Sequence, residues 1–436
     1  MTERHAHRSS SNAFPCCAES EDDMSFLPVG SIAARRFTWA EARRTLVIPI
    51  AGIVCAASVW VGISAHAAPP DNDSFYDPPA ALADITNGQI IRQRDTTIAQ
   101  GGIPIPGLRG TQLLYKTTDS AGRPIATATT ILIPPDVRPG APLLSYQFFV
   151  NGLDASCNPS RQLTGGMVMT FPNDLASALA RGWVVAVPDF GGPSVAINAY
   201  RLSGQAVLDG IRAAESAENV RLSGPRTDVV LMGSSGGGYG SLTAAELQPT
   251  YAPELSIRGV AAAEPPTDFE KVLRNLDGAP FFGNAVIMLL ELVREYPQID
   301  LRQFLNPEGV SMYNELQGTC LLEDLARFAF HRISDYSSVP DLYSEPTIST
   351  MLAENRLGQQ RPAIPVYLEQ GVLDEVVPPG QSAQLADRYC SMGAVVRQVT
   401  SFRGDHNTTG ILWSNDAMNY LQNRLDGQAP PTSCHP

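Results

Sequence analysis

The sequence predicts an α/β fold, a mostly parallel sheet covered by helices on both faces, and three observations carry that prediction. Short apolar runs recur at residues 143–150, 183–187, 229–232, 260–263 and 364–368. Helix-compatible segments, among them 174–180 and 205–218, lie between them. Uninterrupted apolar runs mark strands buried on both faces, and parallel neighbours need long crossover connections of this kind. The third observation is length. Setting aside the first 67 of 436 residues leaves 436 − 67 = 369, enough for one large core with an insertion and no second independent domain.

Those first 67 residues read as a leader. Arg35, Arg36, Arg43 and Arg44 precede an apolar run over 46–63 that ends in Ala65-His66-Ala67, an A-x-A cleavage pattern, which is the grammar of an export signal. Met24 is an alternative start, since the polar, acidic stretch before it adds nothing a signal needs. An uncleaved anchor is the competing reading; the run is near spanning length, although Pro49, Gly52 and Gly62 weaken it. Cys55 lacks a good lipobox. The chain is thus expected outside the cytoplasm, secreted or held in the cell envelope.

The first part of the core is expected over 68–265. It opens with two alternating stretches, 111–117 and 125–133, flanking Asp119-Ser120-Ala121-Gly122, a hairpin pattern that puts antiparallel strands at the edge of the sheet. Residues 266–360 hold no convincing strand but contain helix-compatible stretches at 268–276, 284–296 and 321–333. A structureless loop of that length is rare, so a helical cap inserted over the C-terminal edge of the sheet is expected. The second part of the core follows over 361–436, ending in a Pro-rich tail.

Composition narrows the function. The formal charge of −13 survives loss of the leader, whose six Arg and six Asp/Glu cancel, and only Lys116 and Lys271 supply lysine. Nucleic acid is therefore a poor partner. Of seven cysteines, Cys16, Cys17 and Cys55 fall in the leader, leaving Cys157, Cys320, Cys390 and Cys434. An even number in an exported protein implies two disulfides, with three connectivities open. None of the four has the C-x-x-C spacing of a metal or redox site, so no metal is expected.

The chemistry is carried by Gly233-Ser234-Ser235-Gly236-Gly237, which follows the apolar run 229–232 and precedes a helix-compatible stretch. A strand running into G-x-S-x-G and then a helix is a nucleophile elbow: the tight turn leaves no room for side chains two residues either side of the serine. Gly233 and Gly237 frame Ser235, whereas Ser234 has Met232 two positions back. Such a serine needs a base and an acid to orient that base. Among the three histidines beyond the leader, His435 sits in the tail beside Cys434 and His331 lies in a helical pattern over 325–333. His406, in the loop 402–410, is the expected base. The acid should follow a late strand, and Asp374 does so after 365–370, with Glu375 and Asp405 as rivals. For the oxyanion, the expected donors are the Gly236 amide and, from the loop after the run at 143–150, Asn151. As an ordinary turn residue Asn151 would need no such role.

Together these residues resemble a known family. Ser145-Tyr146-Gln147, Cys157-Asn158-Pro159-Ser160, Val187-Pro188-Asp189-Phe190-Gly191-Gly192, the stretch 206–213, the elbow with 244–247 and 251–255, and Gly371-Val372-Leu373-Asp374 are similar to the secretory lipases of the fungal and actinobacterial type. The resemblance covers most of the mature chain. It implies an α/β hydrolase fold with a helical cap, ester hydrolysis without a cofactor, a triad of Ser235, Asp374 and His406, and the pairs Cys157–Cys320 and Cys390–Cys434. Two departures stand out: the family commonly has an acidic residue where this chain has Asn151, and the chain stops two residues after Cys434, where a yeast member of the family continues over its active site. Long-chain specificity and interfacial activation are therefore not carried over.

The expected activity is hydrolysis of carboxylic esters, foremost triacylglycerols, through an acyl-enzyme. The substrate is a lipid or other ester, with transient contact to a lipid surface as the partner. Short-chain esterase or envelope-lipid acyltransferase activity is the alternative within the class. A non-catalytic lipid-binding protein on a hydrolase scaffold is the alternative outside it, although a carrier has no need of Ser, Asp and His together. The apolar run Val286-Ile287-Met288-Leu289-Leu290 reads first as packing core and second as the wall of an acyl groove.

Overall fold

The computed structural model describes residues 73–435, except 101, 150, 151, 166–171, 321–324 and 403. The leader, the alternative anchor and Asn151 therefore lie outside the described residues. Nine strands form one sheet: β1 (Ile90–Gln100), β2 (Ile103–Thr118), β3 (Pro124–Ile133), β4 (Leu143–Gln147), β5 (Val184–Pro188), β6 (Val229–Ser234), β7 (Ile257–Ala263), β8 (Val366–Gly371) and β9 (Val396–Ser401). Their spatial order is β1-β2-β3-β5-β4-β6-β7-β8-β9. The first three strands are antiparallel and join β5 antiparallel, and from β5 to β9 every pair is parallel. The hairpin expected at 111–117 and 125–133 is present in register, with Thr111 opposite Ile131.

Why both faces are covered can be read from β6. Val229 and Leu231 pack with one cluster and Val230 and Met232 with the other, the period-2 alternation of a strand whose two faces are both apolar. On the first face lie α3 (Tyr200–Ser216) and α4 (Gly236–Tyr251); the second is covered by α2 (Asn173–Ala180), which follows α1 (Pro159–Gly165), and by α11 (Ser414–Leu425).

Between β7 and β8 the described residues hold four α-helices and no strand of the sheet: α5 (Phe269–Leu276), α6 (Phe282–Arg294), α7 (Pro307–Leu316) and α8 (Pro346–Glu354). The helix expected at 321–333 is not found among the described residues, so His331 does not sit in a helix. Instead, the Phe330 amide donates to the Ala279 carbonyl, the Gly278 amide donates to the His331 carbonyl and the Ile333 amide donates to the Asp277 carboxylate. Backbone groups that would close helical turns are spent on this neighbouring segment, and Phe330 takes a φ of 66°, which no helix accommodates. The run 286–290 is packing core, every side chain being buried.

Two disulfides fix the periphery. Cys157–Cys320 joins the loop after β4 to the segment after α7, and Cys390–Cys434 ties the tail to α9 (Gln381–Ser391). The tail also bonds β9, the Ser433 amide donating to the Val396 carbonyl. No described helix is long and apolar enough to cross a membrane.

Candidate active site

Everything at the site hangs on the turn between β6 and α4. Ser235 sits there with φ 53° and ψ −124°, a strained conformation for a residue with a side chain. The surrounding packing holds it: a Cβ on Gly233 would come within 2.4 Å of Gly237 backbone, and one on Gly237 within 2.0 Å of the Gln147 carbonyl oxygen. The Ser235 amide donates to the Ala263 carbonyl at the end of β7, 2.8 Å away. The turn is thus clamped between β4 and β7.

The C-terminal ends of the neighbouring strands bring the other residues to it. Asp374 lies in the turn after β8, and His406 begins α10 (His406–Leu412) after β9. His406 Nε2 stands 3.0 Å from Ser235 Oγ, and Nδ1 stands 2.9 Å from Asp374 Oδ1. With the serine hydroxyl donating to Nε2, Nδ1 carries the ring proton and donates to Asp374. Asp374 is buried, and its Oδ1 also accepts the Val376 and Val377 amides at 3.1 and 2.8 Å. Three donors on one oxygen fix the carboxylate.

The rivals take other positions. The Glu375 carboxylate accepts the His406 backbone amide at 3.1 Å, so it seats the residue without touching the ring. Asp405 caps α10 through the Thr408 amide at 2.7 Å, and that bond holds its carboxyl below the usual range. His331 pairs with the Tyr336 hydroxyl, and His435 is exposed in the tail.

One residue here escaped the reading of the sequence. Glu264 follows β7, is fully buried, adopts φ 50°, and puts Oε2 at 3.7 Å from His406 Nδ1. Burial, then the Asp374 charge, pushes its carboxyl up to about 9, only partly offset by the facing Thr409 hydroxyl and Gly371 amide. Neither of its oxygens reaches hydrogen-bonding geometry with any described group. A usable signal existed: a lone Glu where a central parallel strand ends, at the sheet edge where such folds build their sites.

Glu264, Asp374 and His406 form the one described cluster whose ligand atoms could gather on a metal ion, all within 4.8 Å of one another. A cation there would need the Nδ1 lone pair, which the tautomer bonded to Ser235 occupies with a proton. The donor set therefore fits a hydrogen-bonded chain better than a metal.

Gly236 is the first residue of α4 and lines a narrow cavity beside Ser235 together with Asn198, Pro266, Val272, Asn284, Met288, Val376 and Val377. Its amide, at a helix N-terminus, has no intrahelical acceptor. Met288 and Asn284, four apart on α6, line this cavity along with Ser235. On the far side, the buried Glu291 of α6 accepts the Gly152 amide at 3.1 Å and also bonds the Asn198 side chain. Burial pushes the Glu291 carboxyl well up. The cavity itself is about 10 Å³, about the space one water needs.

Comparison with known proteins agrees with this architecture. A model of the secretory lipase family matches residues 164–433. The chain belongs to the secretory lipase family. A protein of Mycobacterium tuberculosis (strain CDC 1551 / Oshkosh) described as a probable inactive lipase is 34% identical over 372 residues, 82% of this chain and 83% of that relative. Lipase A of Arthroderma benhamiae is 30% identical over 384 residues, 84% of this chain and 82% of its own length. The X-ray structure of Candida antarctica lipase A superposes with a TM-score of 0.78 at 26% identity, covering 84% of this chain and 89% of that one. This member of the family therefore has the α/β hydrolase fold and the two disulfides that the resemblance implied. Its family makes it an exported hydrolase of the lipase and esterase type, whose substrates are lipids or other esters.

Proposed function

We propose that this secretory lipase hydrolyses carboxylic esters, foremost triacylglycerols, by a serine mechanism with an acyl-enzyme intermediate. The observation that carries the proposal is the unbroken hydrogen-bonded chain Ser235–His406–Asp374 at a strained, glycine-framed turn. Ser235 Oγ attacks the ester carbonyl while His406 Nε2 takes its proton, and the imidazolium so formed is oriented and stabilised by Asp374. The Gly236 amide, and Asn151, receive the developing oxyanion. His406 returns the proton to the leaving alcohol, and water then repeats the sequence on the acyl group. Residues 266–360 act as the cap over this edge.

A second reading is favoured by one feature. The cavity beside Ser235 holds about 10 Å³, so a long acyl chain requires the cap to open, whereas a short-chain ester asks for less. Turnover of p-nitrophenyl esters of graded chain length separates the two: activity rising with chain length supports the lipase, and a maximum at acetate or butyrate supports the esterase. Absence of turnover with every ester, and no labelling by a fluorophosphonate, would overturn both in favour of a non-catalytic lipid-binding role.

A further inference from the structure

We propose that Glu264 is a second positioning carboxyl for His406, standing on the Nδ1 side of the ring behind Asp374 and able to take over as acceptor of the Nδ1 proton when the Asp374 charge is lost. The inference rests on the serine mechanism proposed above and adds a residue to it.

Three observations converge on Glu264. Its Oε2 is 3.7 Å from Nδ1, close enough that a small swing of the side chain makes the bond. Both carboxylate oxygens fall short of hydrogen-bonding geometry with the described groups, and the Thr409 hydroxyl and Gly371 amide that face them are weak contacts for that swing to give up. Buried polar groups left in this state are uncommon and costly, and tend to mark function. The backbone φ of 50° is unfavourable for a glutamate and is tolerated where surrounding structure imposes it.

Charge explains why two carboxyls coexist beside one imidazole. The titratable groups facing Glu264 are Asp374 and Glu375 from the turn after β8 and His406 from α10. Two anions in a buried site repel, so one keeps its proton. Asp374 has three donors on Oδ1, whereas Glu264 has none, so Glu264 is the neutral member with its carboxyl pushed up to about 9. Removing the Asp374 charge removes that repulsion. Glu264 then releases its proton to water at a lower pH, and its carboxylate accepts the Nδ1–H of His406, leaving Nε2 free to serve Ser235.

A double-variant series in the full chain tests this. With p-nitrophenyl butyrate, Glu264→Gln should cost tenfold or more in an Asp374→Ala background, where residue 374 offers Nδ1 no acceptor, and a clearly smaller factor in the parent. The Asp374→Ala profile should also contain a rising step with pH that the double variant lacks. Proton NMR of the His406 Nδ1–H supplies a readout independent of turnover: its signal should persist in Asp374→Ala and vanish on adding Glu264→Gln. Additive effects, or an unchanged Nδ1–H signal in the double variant, overturn the proposal. Should the double variant fail to fold, a profile for Asp374→Ala alone that lacks the step overturns it equally. An inactive, unlabelled parent chain whose Nδ1–H signal still follows Glu264 would sink the ester-hydrolase reading and leave the Glu264 proposal standing.

Discussion

Helix α4 has a buried glutamate along its length and another beside its first turn, and the two are held in opposite ways. Glu246 accepts five bonds: from the hydroxyls of Tyr200 and Tyr389 and the amides of Gly358, Gln359 and Gln360. Glu264, near the N-terminus of α4, accepts none among the described residues. Burial raises both carboxyls, but only Glu246 has donors enough to repay its desolvation. Glu246 is a strut that pins the segment before β8 and helix α9 to α4. Glu264 does no such work, and a buried acid that holds nothing up is more informative about chemistry than one that does.

The largest effect should come from the turn itself. Ser235→Ala should lower turnover by roughly 10⁵–10⁶-fold, with thermal stability nearly unchanged. Ser234→Ala should keep most activity. A fluorophosphonate adduct mapped by mass spectrometry to any residue but Ser235 would refute the assignment.

Asp374→Asn comes next. Where an amide forces the wrong imidazole tautomer the loss is about 10⁴-fold. Here the Val376 and Val377 amides already donate to Oδ1, so an asparagine would keep its carbonyl oxygen there and its nitrogen away from the ring. The tautomer survives and the charge is lost. The expected loss is roughly 10²–10³-fold in turnover, below the tautomer-inversion figure. Glu375→Gln should cost far less, and Asp405→Asn least, because asparagine caps a helix as well as aspartate does. A full 10⁴-fold loss would mean that the two amides do not hold the side chain.

Glu246→Ala should invert the pattern. Two buried hydroxyls and three amides lose their acceptor, a cost of about 3–5 kcal/mol in unfolding free energy, while turnover per folded molecule stays close to the parent value. Denaturant unfolding and active-site titration measure the two quantities separately. A stable variant with lost turnover would erase the distinction between the two glutamates.

Much of this was legible in the sequence because it rests on local rules. Apolar runs marked five central strands, and the glycines around Ser235 marked the turn, since a Cβ at either one collides with backbone. The strands that escaped were β1 and β9, the two outermost in the sheet. Edges face solvent, so Arg92, Arg94 and Asp95 of β1 and Arg397 and Gln398 of β9 carry polar side chains where a pattern of burial would otherwise show. The segment after 321 looked helical because its period was right, but tertiary bonds from 277–279 took its backbone. Glu264 was hidden for a different reason. Its role depends on which strand ends lie side by side, and β7 meets β8 and the β6 turn only through the crossover order of the sheet.

The smallest and most diagnostic effect is on stability. Glu264→Gln removes an acid whose carboxyl is pushed up to about 9 in the folded chain, against about 4.3 when unfolded. Between those values the folded state holds a proton that the unfolded state has released. Parent stability therefore falls as pH rises through that window, is complete below it, and loses no more above it. Glutamine does not titrate, so the variant should be equal to or slightly less stable than the parent at pH 4, and more stable by about 1–3 kcal/mol at pH 8. Chemical denaturation at the two pH values, repeated for Glu246→Gln, gives the contrast. At Glu246 the same amide must replace a carboxylate that accepts five bonds, and it can only weaken them. A Glu264→Gln chain destabilised at alkaline pH would show that the carboxylate is wanted there for structure, and the difference between the two glutamates would disappear.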